Sequence, residues 1–487
     1  MPSIIRGILK KHKASVIALA LLVTITVGLW LPTITIPYWW DSAGYVVPAA
    51  RRLVETNFWP LIPGFTDFAH PPLFVALLAF VWQIFGESLF ISHAVNLMFT
   101  LMVVIFIYLL GRHMVTDKGI GGSFVGFSSA LLLLVSPVFL AQVGIIYVDI
   151  PLTAFALAST YFYMRRQYLG YAVCATLMVL TKEIAVVLCI VFAFASVKKE
   201  VRTKALVALP LIVLAVWFVY HFLVTGWWLM APGRELINSP GFFNLSIDYL
   251  FFVIEFIFLR QKRFLMLIPV LLLFGLMVSS RRREEMIHKM WRGRLIIPVI
   301  TVLMTVVFAK TEFLLRYSVL ILPFLYLAST YSLYVFFKAL RISHRFIYGV
   351  FAGVGIVGLF AFSSEWDTHR RITSMYAQPL EDNLEYIDVI KLGQKTAAHI
   401  RKTSPDARIY TTFPFRTMLS DPSLHYVDKA FHVSDCSTYK KGDTVDVVIV
   451  HPYSPYLPKC QQIVQSLNYK TVVALEENGK VVNIVSR

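Results

Sequence analysis

Ionisable side chains in this 487-residue chain recur at the ends of apolar runs, and their types suit one kind of chemistry. Asp41 follows Trp39-Trp40, just past the first apolar run. His70-Pro71-Pro72-Leu73 opens an apolar stretch through Phe85, and Asp149 opens another within Tyr147-Val148-Asp149-Ile150-Pro151-Leu152. Thr181-Lys182-Glu183 interrupts what would otherwise be a helical hairpin, and Glu312, Arg316 and Tyr317 precede the run 317–337. A charge close to hydrocarbon is costly, so each of these needs a partner or a task. A carboxylate such as Asp41 or Asp149 can accept a proton from a hydroxyl nucleophile. Lys182 and Arg316 can neutralise a phosphate at headgroup depth. Together they would suit a substrate with an apolar tail and a phosphorylated head. Taken singly, each has a simpler role. Asp149 could cap a helix, Asp41 could be a solvated loop acid, Lys182 and Arg316 could be snorkelling anchors, and His70 could be a turn residue. Only their placement on one side of a membrane makes the collective reading the stronger one.

That placement follows from composition. Hydrophobic residues make up 57% and charged residues 15% of the chain, and mean hydropathy is +0.69. Soluble domains carry about 45–50% apolar and about 25% charged residues. The excess must be hidden in lipid, which excludes a disordered chain, a disulfide scaffold or a soluble enzyme as the whole answer. The net charge of +17 does not signal nucleic acid. Its basic residues form short clusters between apolar runs, as cytoplasmic loops do.

Eleven spans are expected, at about 14–31, 89–111, 121–142, 148–164, 169–181, 183–197, 205–223, 264–280, 295–309, 317–337 and 346–363. The basic stretch through Lys13 resembles the start of a signal peptide, but Pro37-Tyr38-Trp39-Trp40 follows where a cleavage site would be, so the first span is read as retained. With the N-terminus in the cytoplasm, the cytoplasmic segments hold 21 Lys and Arg and the opposite ones 9. The apolar stretch 247–259 is read as an interfacial helix. This topology collects the ionisable residues on the outer side, within a membrane domain 1–363 whose first outer loop is 32–88. Residues 364–487 hold 15 basic and 14 acidic residues and no spanning run. They read as a small extracytoplasmic α/β domain, with a helix at Lys391–Lys402 and strands at 407–412, 445–450 and 481–485. Cys174 and Cys189 fall in helices; Cys436 and Cys460 fall in the outer domain, where an oxidising compartment permits one pairing.

The order of these motifs resembles the GT-C superfamily of integral-membrane glycosyltransferases, in the branch of protein O-mannosyltransferases and the lipid A aminoarabinose transferase. An acidic motif opens the first outer loop, here Asp41-Ser42-Ala43-Gly44-Tyr45. A Pro-Pro-Leu element follows, here His70 to Leu73; then an Asp-x-x-Leu opening of the fourth span, here Asp149 to Leu152. A Thr-Lys break comes next, here Thr181-Lys182, and last an Arg-Tyr pair, here Arg316-Tyr317 with Pro323 behind it. The similarity covers about residues 14–363. Ser42 stands where the family usually has Glu, Gly44 where some members have Arg, and His70 where Lys is frequent. Arg51, Arg52 and Arg316 are then the candidates for the missing phosphate contacts.

The resemblance implies an all-α polytopic membrane glycosyltransferase with that α/β domain outside. A polyprenyl-phosphate sugar would be the donor, and a protein, lipid or glycan the acceptor. Transfer would be an inverting displacement on the outer face, in a membrane resembling a bacterial inner one. Asp41 would be the base or acceptor-orienting acid and Asp149 a second carboxylate. Lys182 and Arg316 would hold the departing phosphate, and His70 and Tyr317 would line the site. No obligatory metal or other cofactor is expected, and no nucleic acid. The alternative is a transporter or flippase for a lipid-linked or anionic substrate. It would be expected to show internal repeats, and none is visible.

Overall fold

The computed structural model describes residues 2–61, 70–115, 121–228, 247–279, 281–291, 294–310, 313–368, 380–454 and 457–486. Glu312 and the middle of the first outer loop lie outside them. The chain is mostly helical, with a mixed five-stranded sheet near its C-terminus.

The N-terminal half runs through α1 (Pro2–Trp30), the short amphipathic α2 (Val47–Glu55), α3 (Leu73–Phe85) and α4 (Leu89–Met114). The pair α5 (Gly121–Leu134) and α6 (Pro137–Val143) follows, then α7 (Asp149–Met164), α8 (Tyr168–Thr181), α9 (Val186–Ala195) and α10 (Val201–Thr225). Beyond them lie α11 (Ile247–Ile254), α12 (Ile268–Ser279), α13 (Arg281–Trp291), α14 (Ile296–Lys310), α15 (Ser318–Ala339) and α16 (His344–Ser363). Each apolar run expected from the sequence is thus helical. Among the described residues, four helices are long and apolar enough to cross a membrane by themselves: Ala14–Thr33, Leu89–Met114, Val201–Thr225 and Leu315–Ala339.

The span expected over 121–142 is helical but bent. α5 and α6 meet at a bend of 73°. Pro137 opens α6 and has no N–H to give to α5, which weakens the helix where it bends. A second bend, of 74°, joins Ile247–Leu259 to Arg263–Ser279. Gln261 and Lys262 turn the chain there with positive φ. The expected interfacial stretch is therefore the first arm of a bent helical pair.

The outer surface of the bundle is apolar. Val216, Leu223, Phe274, Val278 and Phe360 are all largely exposed. A continuous apolar exterior of this kind is stable only in lipid, so this is an integral membrane protein. At the centre, α15 is 94% buried in its apolar window, so the helix led by Arg316 is enclosed by protein. α4 and α5 cross closely because Gly111 and Gly126 face each other; a Cβ on Gly111 would lie 2.6 Å from the Gly126 backbone.

The C-terminal domain consists of α17 (Tyr386–Thr403), β1 (Arg408–Thr411), α18 (Phe415–Ser420), β2 (His432–Asp435), β3 (Val447–Val450), α19 (Leu457–Leu467), β4 (Lys470–Glu477) and β5 (Lys480–Ser486). The strand order is β2-β1-β3-β5-β4, with β1 parallel to β2 and β3, and β5 antiparallel to β3 and β4. The expected helix is longer than read, and β1, β3 and β5 fall where strands were expected. β2 and β4 are additional and lie at the sheet edges; β2 is short and polar, whereas β4 carries the apolar run Thr471–Leu475 at an accessible edge.

Cys436 and Cys460 form a disulfide with Cα atoms 5.2 Å apart, tying the turn after β2 to α19. The bond spans a sequence separation of 24, and closing a loop of that length stabilises by about 3 kcal/mol. The Cys436→Ser/Cys460→Ser double variant should lose about that much, read as a lower Tm of the purified protein. Neither thiol should label with maleimide before reduction.

Candidate functional site

The site is assembled by connections between helices, where backbone polar groups are free and chain direction changes. Asp41 lies on the turn after α1, where Trp40 has a positive φ of 45°. The Ser42 hydroxyl donates to the Ile146 carbonyl at 2.9 Å, which pins this turn to the connection before α7. Buried Tyr38 and Trp82 both meet Ser92 on α4, at 2.8 and 2.9 Å, and fix the approach to Asp41.

The α6–α7 connection is held from the other side. Asn96 of α4 donates through Nδ2 to the carbonyls of Gln142, Val143 and Ile145, at 3.2, 2.9 and 3.2 Å. These bonds close the end of α6, where the Gln142 carbonyl also accepts from the Ile145 N–H at 3.2 Å. Gln142 in turn donates to the Glu381 carbonyl at 2.9 Å. A side chain at Gly144 would put its Cβ 2.3 Å from the Tyr386 hydroxyl, so glycine lets α17 come close. The bend at Pro137 thus leads to a short, fully tied connection that delivers Asp149 at the start of α7.

Arg316 occupies the single turn Leu315–Tyr317 ahead of α15 and is almost completely buried. Its Nη2 lies 2.5 Å from Asp41 Oδ2, its Nη1 2.5 Å from Glu381 Oε2, and its Nε 3.2 Å from Asp149 Oδ2. The other Asp149 oxygen, Oδ1, accepts from Lys182 Nζ at 3.3 Å. Both cations also rest on aromatic faces. Lys182 Nζ is 3.8 Å from the Tyr317 ring centroid, and the guanidinium carbon of Arg316 is 4.5 Å from that of Tyr147.

Five of the six residues singled out from sequence therefore meet: Asp41, Asp149, Lys182, Arg316 and Tyr317. His70 sits one step away. Its Nδ1 is 2.7 Å from Glu183 Oε2, and Glu183 follows Lys182 in the break between α8 and α9. The simpler roles fit this geometry poorly. Asp149 turns its carboxylate to Lys182 and Arg316 instead of to a helix N–H, and both cations are buried where a snorkelling anchor would reach water. Of the other arginine candidates, Arg51 binds Glu87 and Asp421, the latter at 3.0 Å, and Arg52 pairs with Glu55 on the surface.

Glu381 is the residue that the sequence did not single out. It belongs to the segment between α16 and α17, in a stretch with no apolar periodicity, and only its contact with Arg316 marks it. Burial raises its carboxyl to about 8, against the opposing pull of Arg316, with Asp41 and Asp149 adding to the rise. With every group ionised, the three carboxylates exceed the two cations by one negative charge. Of the carboxylates, only Asp41 reaches outward, with 30% of its side chain accessible. One cation-held acid at a solvent opening, backed by a second acid and two cations, can take a proton from a hydroxyl and stabilise charge developing nearby.

The sequence profile of the family described as dolichyl-phosphate-mannose-protein mannosyltransferase matches residues 69–228, which include His70, Asp149 and Lys182. The fold is shared with ArnT from Cupriavidus metallidurans in the apo state, at a TM-score of 0.59 and 13% identity over 96% of this chain and 97% of that one. ArnT from the same organism bound to undecaprenyl phosphate superposes at 0.56, again with 13% identity and the same coverage. The oligosaccharyltransferase of Archaeoglobus fulgidus, in complex with Zn and sulfate, gives 0.51 at 11% identity, over 96% of this chain and 72% of that one. A search of curated proteins finds no match. The GT-C resemblance read from the motifs is borne out by the family match and by the fold.

Arg316 is the sole common partner of Asp41 and Glu381 among the described contacts. Arg316→Met leaves buried carboxylates uncompensated and should cost about 3–5 kcal/mol. Arg316→Lys should recover only part of this, because one ammonium cannot span three carboxylates as a planar guanidinium does. Thermal unfolding in detergent measures both.

Proposed function

We propose that this chain is a membrane glycosyltransferase that moves a sugar from a polyprenyl-phosphate donor to a hydroxyl acceptor on the extracytoplasmic face. The observation that carries the reading is the meeting of Asp41, Asp149, Lys182 and Arg316, from four separate connections, at the edge of an apolar bundle. The profile match to mannosyltransferases and the fold shared with a protein that binds undecaprenyl phosphate support the lipid-phosphate donor.

In this reading the acceptor oxygen attacks the anomeric carbon from the face opposite the phosphate. Its proton passes to Asp41 through the carboxylate oxygen not engaged by Arg316. The bond between the anomeric carbon and the phosphate oxygen breaks, and the electron pair leaves on the polyprenyl phosphate. The configuration inverts in one displacement. A phosphodiester becomes a phosphomonoester with an added negative charge, which Lys182 and Arg316 stabilise more strongly than the starting donor. Asp149 holds the two cations at a fixed spacing. His70, paired with Glu183, and Tyr317, beneath Lys182, shape the wall. These side chains can hold the leaving phosphate by themselves, so no metal enters the scheme.

We read eleven crossings, with the N-terminus inside and the α/β domain outside. The Cys436–Cys460 disulfide supports that side, because such bonds persist in oxidising compartments. The acceptor class, whether protein, lipid or glycan, is open in this reading.

Asp41→Asn should lower product formation about 10²–10⁴-fold in an incubation with a panel of polyprenyl-phosphate sugars followed by mass spectrometry, while folding and insertion are kept. Undiminished turnover would remove Asp41 from the role of base. A tag after Arg487 should react with impermeant reagents from outside intact cells; protection there would reverse the topology.

A further inference from the structure

We propose that the Glu381 carboxylate is a placeholder for the donor phosphate: it occupies Nη1 of Arg316 in the empty site, and takes up a proton and yields that position when a lipid phosphate binds. The proposal deepens the donor reading above and rests on it.

The argument begins with occupancy. Arg316 is the more deeply buried cation of the site, and all three of its donor faces are turned to carboxylates, from Asp41, Asp149 and Glu381. A phosphate can take the Nη1 or Nη2 edge of this guanidinium head-on only where the carboxylate hydrogen-bonded there gives way. Asp149 is the poorest candidate, because its other oxygen is bound to Lys182 and it stands on the first turn of α7. Asp41 is needed as an ionised base. Glu381 has no such second tie. Its Oε2 meets Arg316, and its Oε1 is buried with no hydrogen-bond partner among the described residues. An ionised carboxylate with a bare buried oxygen is costly, whereas the protonated acid removes most of that cost.

Charge balance gives the same answer. The groups facing Glu381 are Arg316 from the turn before α15, Asp41 from the first outer loop, Asp149 from α7 and Tyr386 from α17. With Glu381 ionised the described cluster carries an excess of one negative charge, and a phosphodiester would bring another. Like charges at this spacing in a buried site cannot all stay ionised. The carboxyl already held near 8 is the one to take a proton. The step is balanced: solvent supplies one proton, the carboxylate becomes a neutral acid, and the Nη1 hydrogens turn to a phosphate oxygen. On departure of the product the proton returns to solvent.

The sign of the pH effect follows. Glu381 is held near 8, so below about 8 it is already protonated and affinity is full, whereas above it anion binding is coupled to proton uptake and affinity falls. Between pH 7 and pH 9 the loss should be about tenfold for a single linked proton. Glu381→Gln keeps the shape, carries no charge and cannot titrate, so it should lose that component.

The test measures binding of undecaprenyl phosphate to the purified full chain in nanodiscs between pH 7 and pH 9, for wild type and for Glu381→Gln. The lipid's own titration is common to both and cancels in their ratio. The wild-type Kd divided by the variant Kd should rise about tenfold across this range, with the variant the tighter binder at pH 9. A constant ratio in a variant with wild-type Tm overturns the placeholder role while the donor reading stands. Absence of lipid-phosphate binding by wild type at every pH overturns both. If Glu381→Gln lowers the Tm, Glu381→Asp serves as the second variant: it still titrates, so it should keep a pH slope, and its loss would also overturn the proposal.

Discussion

One buried guanidinium organises the functional half of this molecule. Arg316 stands at the head of the most enclosed helix, and its charge is tolerable there only because carboxylates from three other segments surround it. Each of those segments must end at one point, so the helices cannot simply run through. The turn after α1, the bend at Pro137, the break at Lys182 and the segment before α17 all follow from that requirement. Non-helical backbone at such depth is tolerated where protein satisfies it. Asn96 does that for the carbonyls of Gln142, Val143 and Ile145 ahead of α7, and Gln142 for the carbonyl of Glu381.

The same charge arrangement sets the working logic of the site. Sugar transfer from a lipid phosphate moves negative charge from a diffuse ester onto a leaving monoester and moves a proton onto a base. A site with a large positive excess would bind the product too well. One with three acids and two cations, and with one acid easily neutralised, can change its net charge by one proton as the substrate comes and goes. Electrostatic preorganisation is usually the largest catalytic contribution.

The sequence revealed most of the site because membrane hydropathy simplifies the problem. In an apolar background a single Asp149 or Lys182 stands out, and the alternation of inside and outside loops sorts such residues by side. Five of the residues chosen in this way meet within a few ångströms. Glu381 was not legible for the opposite reason. It lies in a polar segment where Asp382, Glu385 and Asp388 are equally acidic, and nothing local distinguishes the one that reaches Arg316. The bends were only partly legible. Pro137 is visible, but proline is common enough in membrane helices that it does not by itself foretell a turn of 73°. Short β-branched runs marked β1, β3 and β5; β2 is too short and polar to show such a run, while β4, with Thr471–Leu475, carried one that was not read.

The C-terminal domain belongs to this argument and is more than an attachment. The segment leading into it supplies Glu381, and Trp366 in that segment donates to the Val135 carbonyl left free at the α5–α6 bend, at 2.8 Å. Further contacts clamp the domain to the loop that bears Asp41. Phe413 packs edge-on against Trp40 at 4.9 Å, Tyr426 donates to the Tyr38 carbonyl at 3.1 Å, and Arg51 reaches Asp421. Phe413 follows β1, so the carboxyl ends of the parallel strands face the outer loop. Through Phe413 on Trp40 and through the chain that carries Glu381, this domain is tied to both of the acids that hydrogen-bond Arg316.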